Sequence, residues 1–246
     1  MSSSLEKLSY VLLIVKSTTD ISFAGLETLL SPPPYFLKES KEASGDAATH
    51  RPGYLGSQDT YFVGIIKGMG PIYQQTFIDT FSRVAFVKLF DHKNALVAID
   101  LLNDCVLPFF EVHEVKLLRM LTDRGAEFCG RTKLHKFEQY LTTKNIEHIK
   151  TQASSPQANS ICAFFHKTIV EEFYSIAFRK NTYHSMEELQ KDVDQWLNYY
   201  NKHRPHREHY CYGKTPYQTF IDKMPWLQQN RSASSPPQPA LLKMCP

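Results

Sequence analysis

Two aspartates, Asp59 and Asp123, stand where a folded α/β chain commonly presents a side chain to a ligand. Asp123 follows an apolar, β-type run at residues 115–121 and begins a tight Asp-Arg-Gly turn. The carboxyl ends of strands are the edge at which α/β sheets bind ligands. An Asp before Gly is also ordinary turn chemistry. Asp59, however, opens a second β-type run at residues 59–66, and a helix with a basic face follows downstream. The combination favours a ligand site built from both carboxylates.

The elements that must position these aspartates follow the pattern of an α/β domain. Three β-type runs, at residues 59–66, 72–80 and 83–90, are joined by short turns and predict an antiparallel meander. Apolar residues at helical spacing follow until Pro108, which we expect to end that helix. The strand at residues 115–121 comes next, and a strand-helix-strand step of this length favours parallel placement. The remaining predicted elements are a helix at 133–143, a strand at 146–149, a helix at 157–179 and a helix opened by a Ser185–Glu188 capping box.

This order predicts an α/β fold with a mixed five-stranded sheet flanked by helices. Asp59 and Asp123 lie side by side in such a sheet if their strands are neighbours. The residues of the long helix that we expect to pack inward are Ile161, Phe165, Ile169, Phe173 and Ile176. Ala163 is 200° around the helix from Ile161 and therefore faces away from this apolar stripe.

The chain divides into a predicted core and two flanking segments. Residues 1–50 contain Ser-Pro-Pro-Pro and a polar stretch, which predict a poorly ordered leader. We expect the folded core at residues 51–222. The segment at residues 223–246 is rich in Ser, Pro and Gln, which predicts a disordered tail. An apolar run at residues 10–15 is too short to span a bilayer, so no membrane association is expected.

Composition and charge set wide bounds on function. The net charge of +3 and pI near 8.5 permit nucleic-acid binding without arguing for it. The five cysteines include no Cys-x-x-Cys pair, so their spacing indicates neither a zinc ribbon nor a disulfide framework. Reduced thiols in a cytoplasmic protein are therefore expected. A second group of potential metal ligands does not match zinc-finger spacing; its members are His203, His206, His209 and Cys211.

Five runs in a fixed order carry a family resemblance. They are Gln-Asp-Thr at 58–60, Phe-Ile-Asp-Thr-Phe-Ser-Arg at 77–83, Leu-Thr-Asp-Arg-Gly at 121–125, Ser-Pro-Gln-Ala-Asn at 155–159, and a segment from Tyr-Tyr-Asn to Lys-Thr-Pro at 199–216. From about residue 50 to residue 220 the chain resembles the catalytic core of integrase-type insertion-sequence transposases. These are relatives of retroviral integrase with a ribonuclease H-like fold.

The resemblance implies a metal-dependent reaction on DNA. The family places an Asp–Asp–Glu triad around two Mg²⁺ or Mn²⁺ ions, which clamp the attacking and leaving oxygens of a phosphodiester displacement. By resemblance, Asp59 and Asp123 are the first two acids, catalytic and metal-binding, whereas Asp79 is a structural or turn residue. The implied reaction is DNA cleavage followed by strand transfer. The implied partners are transposon ends, target DNA and further copies of the chain in a homo-oligomer.

The sequence departs from the family at the third acid. Ala163 stands where the family has Glu, and Ala offers no oxygen to a metal. Glu127, four residues after Asp123, belongs to a turn, and we expect it to cap that turn or face solvent. Integration or transposition activity is therefore predicted to be impaired. The alternatives are a non-catalytic nucleic-acid-binding remnant of a decayed mobile element, and an unrelated ribonuclease H-like nuclease.

Basic and polar residues flank the two aspartates in the sequence. By resemblance they contact DNA phosphates, which needs no reading of base sequence. The alternative is an ordinary solvated loop and helix face. The residues predicted to bind nucleic acid are Arg124, Lys150, Gln157, Asn159, His166 and Lys167.

Overall fold

A computed structural model describes residues 51–130, 135–151, 159–207 and 210–224. The predicted leader at residues 1–50, Gln157 and nearly all of the predicted tail lie outside these ranges. No helix in the described ranges combines the length and the apolar character needed to cross a bilayer.

The strands are β1 (Gly56–Ile66), β2 (Gly70–Asp79), β3 (Ala85–Phe90), β4 (Arg119–Thr122) and β5 (Glu147–Lys150). The helices are α1 (Ala95–Leu101), α2 (Leu107–Val112), α3 (Lys136–Thr143), α4 (Ser160–Ile169), α5 (Ser175–Lys180), α6 (Met186–Lys202) and α7 (Pro216–Asp222). Two π-helical segments, Leu102–Val106 and Val170–Tyr174, join α1 to α2 and α4 to α5. Ser185 caps α6 as predicted, since its Oγ accepts from Glu188 N, whereas Glu188 Oε2 accepts from His184 N, one residue before the cap.

The five strands form one mixed sheet in the order β3-β2-β1-β4-β5, as the sequence predicts. β1, β2 and β3 form the antiparallel meander, and β4 runs parallel to both β1 and β5. Two predicted strand starts are wrong by three residues or more. β1 begins at Gly56, so Asp59 lies inside the strand and does not open it. β4 begins only at Arg119, because the preceding segment bonds elsewhere: Leu118 N donates to Gly53 O.

Two hydrophobic cores lie on opposite faces of the sheet. Adjacent residues of β2 divide between them, because side chains alternate along a strand: Phe77 belongs to one core and Ile78 to the other. The first core packs α1, α2, α3 and α7 and contains Phe110, Phe128, Phe137 and Phe220. The second packs α4, α5 and α6 and contains Phe165, Ile169, Val193 and Tyr200.

Both π-helical segments produce departures from the predicted helices. The helix expected to end at Pro108 continues to Val112, because the chain restarts as α2 with Pro108 in its first turn, where a missing N–H is tolerated. In the long helix, the π turn holds about one residue more than an α turn, so each later inward position falls one residue further along the chain than predicted. Ile176, predicted inward, is 41% exposed, and Ala177 is buried in its place.

Helix α6 covers the outer edge of β3. Asn201 Oδ1 accepts from Ala85 N at 2.9 Å, and Asn201 Nδ2 donates to Ala85 O at 2.9 Å. Further along β3, the Gln190 side chain accepts from Leu89 N and donates to Val87 O. These two amides satisfy backbone groups that an edge strand would otherwise leave open to pairing with another chain.

Candidate active site

Asp59 lies on β1, and Asp123 directly follows Thr122, the last residue of the neighbouring strand β4. In the parallel ladder between β1 and β4, Gly56 pairs with Met120 and Ser57 with Leu121. Extending this register by two residues leads to Asp59 within β1 and to Asp123 just beyond the end of β4. Neighbouring strands lie about 4.8 Å apart, and residues in one row project to the same face. The strand adjacency on which the predicted site depends is therefore present.

His166 holds one side of Asp59. Its Nδ1 lies 3.9 Å from Asp59 Oδ2, and its Nε2 lies 3.0 Å from Thr76 Oγ1. The His166 ring also contacts Tyr61, with ring centroids 4.9 Å apart. Asp59 Oδ1 accepts from Thr60 N at 2.8 Å. Because His166 is only 7% exposed and faces protein groups, its position differs from the phosphate-contacting surface residue that the sequence predicted.

Asp123 is supported by the turn that follows it and by a histidine behind it. Its Oδ1 accepts from Gly125 N at 2.8 Å. Thr122 Oγ1 donates to Asp123 O at 2.8 Å, so it accepts from His148 Nε2, which is also 2.8 Å away. Burial, and then the charge of Lys150, lower the pKa of His148 to about 4. The imidazole is therefore neutral at pH 7, with its proton on Nε2.

The start of α4 is bonded directly to β1. Ser57 Oγ donates to Asn159 Oδ1, and Asn159 Nδ2 donates to Gln58 O at 3.3 Å. Cys162, buried one turn along, lies 3.6 Å from Ser57 Oγ. Burial raises the pKa of the Cys162 thiol, and the negative charges of Asp59 and Asp123 raise it further. Both carboxylates are thus within electrostatic reach of one side chain on α4.

Ala163 is exposed on the side of α4 that bears Asn159 and His166. These three residues are spaced at i, i+4 and i+7, which places them on one face of a helix. Asn159 bonds to Gln58 on β1, and His166 lies beside Asp59 on the same strand. Position 163 lies between them on the same helix face and therefore faces the two aspartates. Phe165 and Ile169 are buried on the stripe that the sequence predicted, and Ala163 lies away from it, as predicted.

Glu127 departs from its predicted place. It was expected to cap the turn or face solvent, but it is 4% exposed. The turn folds back on itself, since both Phe128 N and Cys129 N donate to Gly125 O, and this brings the Glu127 carboxylate over Gly125. A Cβ atom at Gly125 would lie 2.7 Å from Glu127 Oε2, so a larger residue there would displace the Glu127 carboxylate.

The remaining residues predicted to bind nucleic acid are spread over the rim of the site. Arg124 Nε donates to Thr151 O at 2.9 Å, which orders the loop beside Asp123. Lys150 pairs with Glu138. Lys167 is well exposed, and its Nζ lies 3.8 Å from Glu171.

Other candidate ligands have structural roles. Asp79 is buried and accepts from Gly53 N, Ser82 N and Ser82 Oγ, which confirms it as a structural residue. His206 packs edge-on against Tyr200. Across the described parts of the chain, no three His, Cys, Asp or Glu side chains cluster closely enough to hold a metal ion.

The described cysteines depart in part from the expectation of reduced thiols throughout. Cys129, Cys162 and Cys211 carry free thiols, whereas Cys105 is disulfide-bonded.

Comparison with known sequences decides the family. Two sequence models, both described as the integrase core domain, match residues 49–156 and 144–211. Together they span about two thirds of the chain, including every strand of the sheet and both aspartates. The chain belongs to the integrase core domain family.

Two curated relatives are similar to this integrase core. "Putative integrase ORF3" of Spiroplasma virus SpV1-C74 is 27% identical over 180 residues, which are 70% of this chain and 49% of that protein. The retrovirus-related Pol polyprotein from transposon TNT 1-94 of Nicotiana tabacum is 30% identical over 114 residues, 44% of this chain and 8% of that protein. The chain thus spans half the length of these relatives or less.

Solved structures confirm the ribonuclease H-like fold. The catalytic core domain of HTLV-2 integrase, in complex with magnesium, matches with a TM-score of 0.53 and 15% identity over 70% of this chain and 98% of that one. A chain of the simian T-cell lymphotropic virus intasome, in complex with a PP2A regulatory subunit, matches with a TM-score of 0.54 and 16% identity over 80% of this chain and 59% of that one. At these identities the likeness concerns the fold.

Proposed function

We propose that this integrase core binds DNA and that its phosphodiester cleavage and strand transfer are impaired at the third acid. The observation that carries the proposal is the position of Ala163. It lies on the face of α4 between Asn159 and His166. Asn159 contacts β1, which carries Asp59, and His166 contacts both β1 and the adjacent strand β2. A glutamate in that place would extend towards both aspartates, whereas a methyl group ends short of them.

The residues present do not fit the family's pair of divalent ions. Mg²⁺ and Mn²⁺ prefer carboxylate oxygens, and two-ion sites use several carboxylates to bridge and flank the ions. Asp59 and Asp123 supply two, position 163 supplies none, and the described residues contain no cluster of three potential ligands. We therefore assign no step of a cleavage reaction to bound metal in this chain.

Exposed cations near the two aspartates support the proposal of DNA binding. Phosphate contacts need cations on a stable surface and no readout of base edges. Arg124 is fixed by Thr151 O beside Asp123, and Lys167 lies well exposed one residue beyond His166. We propose that these two side chains, with Lys150, contact the backbone of transposon ends or target DNA. A homo-oligomer is part of the same proposal.

The second candidate function is a non-catalytic DNA-binding remnant of a mobile element. It is favoured by the same alanine, because the core packs without a third acid. The two candidates differ in whether any metal-dependent cleavage remains. They share the prediction of DNA binding, so that property is tested first.

The test is fluorescence anisotropy with a labelled DNA duplex at several salt concentrations in EDTA. We expect affinity to fall steeply with salt, and Lys167→Gln to reduce the salt slope by about one contact. Lys116→Gln is the matched control, since Lys116 is exposed just before β4, at the opposite end of that strand from Asp123. Salt-insensitive binding, or equal losses in both variants, would contradict the proposal.

A further inference from the structure

Glu127 is a buried carboxylate with one oxygen unsatisfied. Its side chain is 5% exposed, and Oε2 has no hydrogen-bond partner among the described residues. Lys93 Nζ lies 3.7 Å from the other oxygen, Oε1, and half of the Lys93 side chain is in solvent. A buried carboxylate oxygen without a donor is costly, and native proteins satisfy such groups with a partner, a water or an ion. The arrangement points to a positively charged ligand at Oε2.

Asp123 supplies a second carboxylate oxygen at the same place. The point where a Cβ on Gly125 would stand is 2.7 Å from Glu127 Oε2 and 3.0 Å from Asp123 Oδ1. The two oxygens therefore approach the same side of one glycine and lie no further apart than the sum of those distances. A hard divalent cation lies about 2.0–2.6 Å from each carboxylate oxygen that binds it, so two such oxygens lie within about 5 Å of each other, which this upper limit allows.

This pair is distinct from the position that Ala163 occupies. Glu127 is ion-paired with Lys93, two residues before α1, and is followed by Phe128 in the core beneath α1 and α3. Ala163 belongs to α4, which packs on the opposite face of the sheet. Glu127 therefore reaches Asp123 from the α1 side and does not stand in for the missing third acid.

We propose that Asp123 and Glu127 together bind one divalent cation of the Mg²⁺ or Mn²⁺ class, with water completing its coordination. Such ions commonly take one or two carboxylates and retain several waters. The proposal does not rest on DNA binding, because the site is formed by the turn and the end of β4 alone.

Manganese binding to the full chain tests the site directly. Mn²⁺ alone is titrated without DNA, and the loss of the free-ion signal is followed by electron paramagnetic resonance. We expect about one saturable site per chain, weakened at least ~10-fold by Glu127→Gln and by Asp123→Asn, since loss of even an outer partner typically costs that much. Glu171→Gln, an exposed glutamate on the long helix, is the matched control and should leave affinity unchanged.

Lys93→Gln provides a second test that avoids altering a buried group. Lys93 competes with the ion for the same carboxylate, so its removal should tighten Mn²⁺ binding several-fold. Unchanged or weaker binding in this variant would overturn the proposal, as would full binding by folded Glu127→Gln. Loss in Asp59→Asn together with retention in Glu127→Gln would place the ion between the aspartates and also overturn it. Anisotropy in EDTA reports DNA binding separately, so failure of one proposal is distinguishable from failure of the other.

Discussion

Ser57 Oγ donates a hydrogen bond to Asn159 Oδ1 at 2.5 Å, across 102 residues of sequence. Ser57 lies on β1 two residues before Asp59, and Asn159 immediately precedes α4, the helix that carries Ala163. The bond therefore fixes the distance between the strand that bears the first acid and the helix that would bear the third. Asn159 thus positions the site, in addition to the DNA contact predicted for it.

We predict that this bond is energetically coupled. Ser57→Ala and Asn159→Ala should each lower the free energy of unfolding by about 1 kcal/mol, the usual net value of one hydrogen bond. The double variant should lose less than the sum of the two, with an interaction energy of about 0.5–1.5 kcal/mol. Urea unfolding of the four proteins measures the cycle, and strict additivity would show that the bond contributes nothing.

We predict that His148 makes the fold sensitive to acid. Its folded-state pKa of about 4 lies below the usual 6.5, so the folded protein favours the neutral ring. The contribution of neutral His148 to the free energy of unfolding is therefore fully present above pH 6.5 and is lost as pH falls from 6.5 towards 4. His148→Gln keeps a donor for Thr122 and removes the titration. Between pH 7 and pH 5 it should lose less unfolding free energy than the unmodified chain; parallel stability curves would contradict this.

We predict that Asn201 is among the most stabilising side chains of α6. Its amide satisfies both backbone groups of buried Ala85, so Asn201→Leu leaves two buried polar groups unpaired, at about 1–3 kcal/mol each. Gln195→Leu, at an exposed position of the same helix, is the control and should change stability by less than about 0.5 kcal/mol. Equal losses in the two variants, measured by denaturant unfolding, would show that the edge contact is not the cause.

The sequence predicts the fold class, the five strands and the strand-end position of Asp123, because hydrophobic periodicity and turn residues are local signals. It does not predict the π-helical turns, since a periodicity of 3.6 residues is assumed throughout a helix, and Ile176 is misplaced for that reason. It also does not predict the burial of His166 and Glu127. His166 meets Thr76, 90 residues away, and Glu127 meets Lys93, so both depend on tertiary contacts that spacing cannot reveal.

We predict that Ala163→Glu lowers stability without metal and raises it with metal. A third carboxylate near Asp59 and Asp123 adds like-charge repulsion in the metal-free protein. Bound ions relieve that repulsion and stabilise the folded state by mass action. The melting temperature of the variant should be below that of the unmodified chain in EDTA, and its rise on adding Mn²⁺ should be larger. Identical Mn²⁺-induced shifts in the two proteins would contradict the placement of position 163.

Nicking of supercoiled plasmid DNA in Mn²⁺ tests the central claim most directly. The unmodified chain should nick only slightly faster than an Asp59→Asn/Asp123→Asn double variant, because position 163 supplies no oxygen; equal rates would favour the non-catalytic remnant. Ala163→Glu should gain Mn²⁺-dependent nicking that Asp123→Asn abolishes in the same background. Robust nicking by the unmodified chain that disappears in Asp123→Asn would contradict the account, since another group would then complete the catalytic site.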